Sequence, residues 1–267
     1  MRRPFFAVLG GMGTLATESY VRLVNEATHA HGDQEYLDYV VFNDAGVPDR
    51  TAFITGDSPD DPFPVIADDI AKASAMGASF IVLTCNTAHY FHERFQALTD
   101  VPILHMPRGA VARLASLYPL DAPGGVSHTD DGIDDGSDDG TGARERVRRV
   151  GFLGTLGSRV AGVYRRAVEE AGYEFVEPDD ALQTRVTSLI YDDVKGSGTL
   201  DRGRYGSVLH DLLDPSGVHR ADVAILGCTE LSVLNEAFPT PHLPVIDAQA
   251  VLVEDTVALA KRLRGDA

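Results

Sequence analysis

The sequence predicts an α/β protein made of two similar, open parallel-sheet lobes, related by a pseudo-twofold duplication, with a cleft between them. Three observations predict this fold. Short apolar runs alternate with longer helical patterns, the second half of the chain repeats the first in register, and a segment rich in Asp and Gly separates the halves. Alternating strands and helices are typical of parallel sheets, and an in-register repeat is typical of duplicated units.

The first half begins with the apolar run FFAVL at residues 5–9, which we predict to be a buried strand. A helical pattern over residues 15–30 follows, and then a second strand over residues 36–42. The next helix covers residues 64–77 and a third strand covers residues 79–83. This order is the βαβ arrangement of an open parallel sheet.

The second half repeats these elements at a nearly constant offset. VGFLGT at 150–155 matches AVLGGM at 7–12, and SFIVLTCNT at 79–87 matches DVAILGCTE at 222–230. Five pairs of residues are separated by 142 to 144 positions: Gly10 and Gly154, Tyr20 and Tyr164, Ala27 and Ala171, Cys85 and Cys228, and Pro102 and Pro244. Several pairs in register indicate two α/β lobes related by duplication.

The repeat sets the predicted domain boundaries. We expect a first lobe over residues 1–115, with the C-terminal segment of the chain crossing back onto it, and a second lobe over residues 150–267. The segment at 116–149 is predicted to be an acidic, flexible insertion, because much of it is Asp, Gly and Ser. Its DDGIDDGSDDG run lacks the ligand spacing and terminal Glu of a calcium loop, so a solvated insertion is the better interpretation.

The charge balance indicates the cellular setting. The chain has 40 acidic and 23 basic residues, a net charge of −17, and lysine only at positions 72, 195 and 261. With no basic run, we expect no nucleic-acid partner. An acidic, lysine-poor surface favours a salt-loving (halophilic) source, although an ordinary acidic protein is the alternative.

Neither a leader nor a membrane anchor is predicted. The N-terminal apolar run breaks at Gly10 and Gly11, which suits a first strand better than a signal peptide. No stretch approaches the roughly 20 apolar residues of a membrane span. We therefore expect a cytoplasmic protein without a membrane partner.

Two cysteines, Cys85 and Cys228, stand at equivalent points of the repeat, each just after a predicted strand and at the start of a helix. No CxxC spacing is present, so we expect no zinc site, and a reducing cytoplasm disfavours a disulfide. A lone cysteine is most simply a small core side chain. Because both cysteines follow strands at the edge where open α/β sheets bind ligands, we predict two thiols that face each other across one ligand.

Opposed thiols suit a reaction in which a proton leaves one face of a carbon and returns on the other. One thiolate acts as the base and one thiol as the acid, and the two exchange roles with the enantiomer of the substrate. The residues after the thiols are polar, namely Asn86 and Thr87 in the first half and Thr229 and Glu230 in the second. We predict that they bind a substrate carboxylate, and helix capping by the first three is a compatible alternative.

Motifs along the chain resemble those of the aspartate/glutamate racemase family, most closely its aspartate racemase branch. The matching segments are GGMGTLAT at 10–17, VPDRT at 47–51, CNTAH at 85–89, YDDVKGS at 191–197 and GCTEL at 227–231. CNTAH followed by GCTEL is the most specific part of this resemblance. One departure is Thr14, which stands where the family loop GGMGP has proline and loosens that turn.

This resemblance implies a two-lobed α/β fold, a homodimer, and a two-cysteine mechanism without pyridoxal phosphate or another cofactor. Carried over by position, Cys85 and Cys228 match the catalytic pair of the family. Arg50 and Lys195 match the residues that hold the side-chain carboxylate of aspartate, which suits a small diacid. The predicted substrate-binding residues are Met12, Arg50, Asn86, Thr87, Thr155, Ser158, Lys195, Thr229 and Glu230.

Racemisation of L-aspartate to D-aspartate is therefore the predicted activity. Within the same superfamily, the alternatives are a glutamate or broad-specificity racemase and a hydantoin or maleate isomerase. Outside it, they are a non-catalytic amino-acid-binding protein and a pyridoxal enzyme with Lys195 as the Schiff base. Simpler interpretations make Arg50 a turn residue and Lys195 a surface charge, while His89 either tunes the Cys85 thiol or caps a surface.

Overall fold

The two-lobe α/β architecture is confirmed by a computed structural model, which describes residues 3–120 and 147–266. The first lobe comprises β1 (Phe5–Gly10), α1 (Thr14–Thr28), β2 (Asp38–Asn43), α2 (Arg50–Thr55), α3 (Phe63–Met76), β3 (Ile81–Leu83), α4 (His92–Gln96) and α5 (Met106–Leu117). Two short 3₁₀ helices, Asp33–Glu35 and Thr87–Phe91, interrupt its loops.

The second lobe repeats the strand order of the first and has one further strand. Its elements are β4 (Arg149–Gly154), α6 (Leu156–Val160), α7 (Val163–Glu170), β5 (Glu174–Val176), α8 (Asp180–Ser188), a π-helix (Leu189–Ser197), α9 (Arg202–Leu213), β6 (Val223–Gly227), α10 (Thr229–Ala237), β7 (Val245–Asp247) and α11 (Ala248–Arg264).

Both sheets are entirely parallel, and their strand orders correspond. The first sheet has the order β2-β1-β3 and the second has the order β5-β4-β6-β7. The fourth strand of the second sheet has a remnant in the first, where Ile103 forms an isolated parallel bridge to Ile81. The strands β1, β4 and β6 are buried along almost their whole length, as expected for parallel strands covered on both faces.

The main core lies between the two sheets. The helices α1, α5, α7 and α11 pack there, and Phe6, Tyr20, Phe152, Tyr164 and Leu252 are among their shared apolar cluster. A second cluster lies outside the first sheet beneath α3, and a third lies outside the second sheet beneath α8, α9 and α10. The sheets are thereby held in one layered structure whose strand ends meet at the cleft.

Several predicted boundaries shift by one or two residues. The helix predicted over 15–30 ends at Thr28, because His29 adopts a left-handed conformation with φ of 51°. The strand predicted over 36–42 begins at Asp38 and the strand predicted over 79–83 begins at Ile81. The predicted insertion at 116–149 overlaps the end of α5 and the first residue of β4. Its positions 121–146 lie outside the described residues, so the insertion and the lobe boundaries stay predictions.

Membrane-spanning helices and metal-binding clusters are both absent from the described residues. Across residues 3–120 and 147–266, no helix is both long and apolar enough to cross a membrane. Within the same ranges, no group of three or more His, Cys, Asp or Glu side chains is arranged to hold a metal ion.

Candidate active site

Cys85 lies where the first sheet ends. It follows β3 after a single residue, Thr84, whose hydroxyl bonds to the carbonyl of Leu9 on the neighbouring strand at 3.3 Å. The side chain is buried, with 8% of the residue exposed. A 3₁₀ helix begins at Thr87, so Cys85 stands between a strand and a helix, as predicted.

Cys228 lies at the corresponding end of the second sheet. It is the N-cap residue of α10, directly after β6, and is 4% exposed. The thiol does not cap the helix; its Sγ donates a hydrogen bond to Oε2 of Glu230 at 2.9 Å. Burial, and then the charge of Glu230, raise the pKa of Cys228 well above its ordinary value, while Lys195 opposes this shift. The arrangement favours the neutral thiol.

Arg50 is buried at the start of α2 and faces the first thiol. Its guanidinium donates to the backbone carbonyls of Met12 at 2.6 Å, Pro48 at 2.9 Å and Val47 at 3.2 Å. Burial lowers the pKa of Arg50, but interactions with Cys85 and with neighbouring Asp49 raise it more, so the net shift is upward. The residue is therefore more than the turn residue of the simpler interpretation, since it places a positive charge beside Cys85.

Lys195 lies in the π-helix, a rare element that often marks functional sites. Its Nζ is 3.6 Å from Oε1 of Glu230 and 4.8 Å from the ring centre of Tyr191. Burial lowers the pKa of Lys195, but Glu230 raises it, and so do Cys228, Tyr191 and Cys85, so the net shift is upward. The side chain is 23% exposed, so Lys195 is not a freely solvated surface charge.

Lys195, Glu230 and Tyr191 form one electrostatic centre, and Cys228 and Cys85 lie near enough to raise the pKa of Lys195 further. Beside this centre lies a cavity of about 350 Å³ between the lobes. Its lining includes the loop of residues 11–14, together with Asp49, Arg50, Lys195 and Glu230. A side chain at Gly13 would collide with the Glu230 carboxylate, so this glycine lets the loop approach it. Of the predicted residues, Met12, Arg50, Lys195 and Glu230 all line the cavity.

A group of buried hydroxyls joins the lobes near Cys85. Thr87 of the first lobe bonds to Thr155 of the second at 2.8 Å, and Ser158 donates to Thr87 at 3.1 Å. Thr155 also caps α6 by accepting the backbone N–H of Ser158 at 3.1 Å. Three predicted residues are thereby brought together, although none of them lines the cavity.

The capping roles considered for Asn86, Thr87 and Thr229 are wrong. Asn86 precedes the 3₁₀ helix without a side-chain capping bond, and Thr87 bonds across the lobes instead. Thr229 is the first residue of α10, and its hydroxyl points to the Glu230 carboxylate at 3.4 Å. Asn86 and Thr87 therefore bond to the second lobe, and Thr229 contacts its neighbour Glu230, instead of capping helices.

Buried donors without a protein partner occur at this site. Arg50 leaves its Nε unpaired, Asn86 leaves its Nδ2 unpaired, and Thr51 leaves its hydroxyl without a bond. Burying an unpaired polar group is costly, so such groups usually meet a ligand, water or ion. Donors of this kind suit the binding of a carboxylate.

His89 is buried, so the interpretation that it caps a surface is wrong. Its Nε2 accepts the backbone N–H of Met106 at 3.1 Å, which leaves Nδ1 to donate to the carbonyl of Cys85 at 2.9 Å. Burial and the neighbouring His92 lower the pKa of His89 to about 4, which matches this neutral form. The ring holds the backbone of Cys85, and no hydrogen bond joins it to the thiol.

Four residues near the centre were not among the predicted set. Tyr164 donates a hydrogen bond to the side-chain oxygen of Asn86, and Tyr191 donates to Asp49 at 3.3 Å. Asp49 also caps α2, and Thr51 packs closely against Gly157 of the second lobe. The sequence could have indicated all four. The matched motifs VPDRT and YDDVKGS contain Asp49, Thr51 and Tyr191, and the internal repeat pairs Tyr164 with Tyr20.

Comparison with known proteins places these features in context. A family model described as Asp/Glu/hydantoin racemase matches residues 9–125 and 140–256. The chain is similar to the broad specificity amino-acid racemase RacX of Bacillus subtilis, with 24% identity over 255 residues that cover 94% of this chain and 96% of that protein.

Solved structures show the same fold. An aspartate racemase of Picrophilus torridus superposes with a TM-score of 0.71 at 22% identity, covering 99% of this chain and 100% of that one. A glutamate racemase of Francisella tularensis, solved with D-glutamate, gives a TM-score of 0.60 at 14% identity, covering 98% of this chain and 82% of that one.

Proposed function

The chain belongs to the Asp/Glu/hydantoin racemase family, and on that premise we propose that it interconverts L-aspartate and D-aspartate, using Cys85 and Cys228 as opposed acid and base. One observation carries this proposal. The two thiols follow equivalent strands of the duplicated lobes, β3 and β6, and their neighbours Arg50 and Glu230 line one cavity. This pseudo-symmetric placement suits proton transfer at two faces of one carbon.

The proposed reaction is a balanced exchange of protons. Cys85, as the thiolate, removes the α-proton of one enantiomer, and the electron pair of the C–H bond spreads into the α-carboxylate. Cys228 then gives its thiol proton to the opposite face of the same carbon. Afterwards Cys85 is the thiol and Cys228 the thiolate, which is the state that acts on the other enantiomer.

Charges around the thiols support this assignment of resting roles. Arg50 places a positive charge beside Cys85, where a thiolate would stand. Glu230 accepts a hydrogen bond from the Cys228 thiol at 2.9 Å and disfavours a thiolate there. Lys195, 3.6 Å from Glu230, offsets that carboxylate when Cys228 becomes negative during turnover.

We assign the substrate carboxylates to the unpaired buried donors. Asn86, adjacent to the first thiol, offers Nδ2 to the α-carboxylate. Arg50 offers Nε to a carboxylate in the cavity, since its other nitrogens already hold the backbone. Thr87, Thr155 and Ser158 do not line the cavity and are proposed to hold the two lobes together beside it, while Thr229 is proposed to hold the Glu230 carboxylate.

A pyridoxal Schiff base at Lys195 is the less favoured chemistry. Schiff-base formation requires the neutral amine, whereas the charges around Lys195 raise its pKa. We therefore propose that the reaction needs no cofactor. Purified protein that lacks absorbance of a pyridoxal chromophore and remains active would support this proposal.

A broad-specificity racemase is the second candidate, and one observation favours it. Lys195 is paired with Glu230, and Arg50 lies beside Asp49, so acidic and basic groups balance each other along the cavity. A balanced cavity does not demand a diacid. The relative from Bacillus subtilis bears the name of a broad-specificity enzyme.

Proton exchange in heavy water separates these candidates. Wild-type protein is incubated with single enantiomers of aspartate, glutamate, lysine and alanine, while NMR follows loss of the α-proton and chiral chromatography follows inversion. We expect aspartate to react fastest. Equal rates for lysine or alanine would support broad specificity, and binding of aspartate without exchange would indicate a non-catalytic binding protein.

We further propose that the protein works as a homodimer in a salt-rich cytoplasm. The homodimer rests on the family resemblance, and the salt-rich setting rests on the net charge of −17. Sedimentation at low and at molar KCl measures both the oligomeric state and its dependence on salt. A monomer under both conditions contradicts the homodimer.

A further inference from the structure

Tyr20 and Tyr164 occupy equivalent positions of the internal repeat, 144 residues apart. Tyr20 lies in α1 and Tyr164 lies in α7, and both rings are almost completely buried in the core between the sheets. Their surroundings differ at the hydroxyl. Tyr20 bonds to the hydroxyl of Thr256 in α11 at 2.7 Å, whereas Tyr164 donates to the side-chain oxygen of Asn86 in the other lobe.

The ring of Tyr164 is held firmly in place. It packs against Phe152 with ring centres 5.0 Å apart, and Gly227 leaves room for its edge, because a Cβ there would lie only 2.8 Å from the ring. Burial, Asp247 and Cys228 raise the pKa of Tyr164 well above its ordinary value, so the hydroxyl keeps its proton and remains a donor. The second lobe thus presents a fixed donor to Asn86.

The two ends of the Asn86 amide differ in their partners. Its oxygen is occupied by Tyr164, while its Nδ2 is buried and has no protein partner. We propose that Tyr164 is a positioning residue that orients the Asn86 amide, so that the Nδ2 donors face the α-carboxylate of the substrate. This inference rests on the proposed function, which assigns that carboxylate to Asn86.

Orientation matters because the two ends of an asparagine amide have nearly the same shape. The χ2 torsion is broad and roughly two-fold, so packing alone discriminates weakly between the two orientations. A flipped amide would turn its oxygen toward the substrate carboxylate, and the two would repel. The donor bonds of the correct orientation strengthen as negative charge grows on the carboxylate during proton removal, so the loss affects kcat as well as KM.

The repeat supplies a matched control for the test. Tyr164→Phe and Tyr20→Phe each remove one buried hydroxyl and keep the ring, so their effects on Tm should be similar. We expect Tyr164→Phe to lower kcat/KM for aspartate by about 10- to 100-fold, the range for a lost bond to a charged group, with kcat reduced. Tyr20→Phe should stay close to wild type. Equal effects of the two variants on kcat and kcat/KM would overturn the inference.

Variants of Asn86 show whether Tyr164 acts through it. Asn86→Asp keeps an acceptor for Tyr164 but removes the donors, so it should lose activity at least as severely. In an Asn86→Ala background, adding Tyr164→Phe should change kcat/KM little, and additive losses would contradict the inference. If Asn86→Ala alone is silent, the α-carboxylate assignment fails as well. If Asn86→Ala is damaging and Tyr164→Phe is not, only the positioning role fails.

Discussion

The two thiols stand at equivalent strand ends, yet their surroundings carry opposite charge. Cys85 faces the buried cation of Arg50, whereas Cys228 donates a hydrogen bond to the carboxylate of Glu230. A perfect duplication would give both thiols the same protonation preference. The divergence between the lobes places a cation beside one thiol and a carboxylate beside the other, and the proposed reaction, with one base and one acid, would use this difference.

The largest expected effect comes from removing either thiol. Cys85→Ser and Cys228→Ser should each reduce racemisation by about 10²- to 10⁴-fold, because serine is a far poorer acid and base. Each variant should still exchange the α-proton of one enantiomer with deuterium through its remaining thiol, and the preferred enantiomer should be opposite in the two. NMR of D- and L-aspartate in heavy water measures this. Near wild-type racemisation by either variant would contradict the two-thiol mechanism.

A difference between the two thiols can appear in some kinetic quantities and not in others. Because the equilibrium constant of racemisation is one, kcat/KM must be equal in the two directions for every variant. Individual kcat and KM values and single-enantiomer exchange rates are free to differ. These measurements therefore test whether Cys85 starts as the thiolate and Cys228 starts as the thiol.

Removal of the two cations near the thiols should have similar effects on turnover but different effects on stability. Arg50→Ala and Lys195→Ala should both lower aspartate turnover by orders of magnitude, since each removes a charge from a partly desolvated site. Arg50→Ala should also lower Tm, because each buried carbonyl that loses its donor costs about 1–3 kcal/mol. Arg50 donates to three backbone carbonyls, so its removal should affect stability as well as turnover.

Kinetics and melting curves of these variants provide the check. Lys72→Ala is the matched control for Lys195→Ala, because Lys72 pairs with Asp68 and Asp69 on the exposed side of α3. The control should retain full activity. A Lys195→Ala variant with normal turnover would weaken the assignment of aspartate as the substrate.

A smaller, local effect is expected at Glu230. Burial and Glu230 raise the pKa of Cys228, so Glu230→Gln should lower that pKa and let the thiolate form at lower pH. The pH at which iodoacetamide alkylates Cys228 should fall, while labelling of Cys85 should change less. Mass spectrometry of labelled peptides across a pH series measures both thiols in one sample.

The same helix provides the control for this experiment. Glu236→Gln removes an equal charge from α10, but Glu236 pairs with Arg22 and Ser19, neither of which lines the cavity. It should leave the labelling of Cys228 unchanged. An identical shift in both variants would mean that general charge, and not the bond to Glu230, sets the state of the thiol.

Salt should have the weakest influence on the difference between the thiols. With a net charge of −17, the protein should gain Tm and activity as KCl rises to about 1 M, where the screening length is about 3 Å. The buried pairs around the thiols are screened much less, so the difference in alkylation between Cys85 and Cys228 should persist. A Tm that is highest in dilute buffer would contradict the salt-loving interpretation.

Much of the fold was predictable because its signals are local. Apolar runs such as FFAVL and SFIVL mark buried parallel strands by themselves, and the register of the repeat pairs Gly10 with Gly154. Errors arose at element ends, for example at Thr28, where backbone geometry at the next residue decides the boundary. The helix predicted after Cys85 is present as a 3₁₀ helix.

The sequence marked some residues that line the cavity but did not indicate their partners. The motifs marked Arg50, Lys195 and Glu230, and the structure brings them to one cavity. The sequence did not indicate that Glu230 accepts a hydrogen bond from the Cys228 thiol, because the Glu230 side chain has several rotamers and only some of them reach Cys228. Nor did it indicate that His89 would bond to the backbone carbonyl of Cys85.

The sequence by itself determined the order of strands and helices, the duplication, and the equivalent placement of two thiols after strands. These follow from periodicity and from neighbours along the chain. Only the tertiary structure decided how the duplicated lobes differ, as when Tyr20 bonds to Thr256 while Tyr164 bonds to Asn86, 78 residues away. The physical reason is that a hydrogen-bond partner is chosen by the packing of distant elements, which residue identity and spacing do not specify.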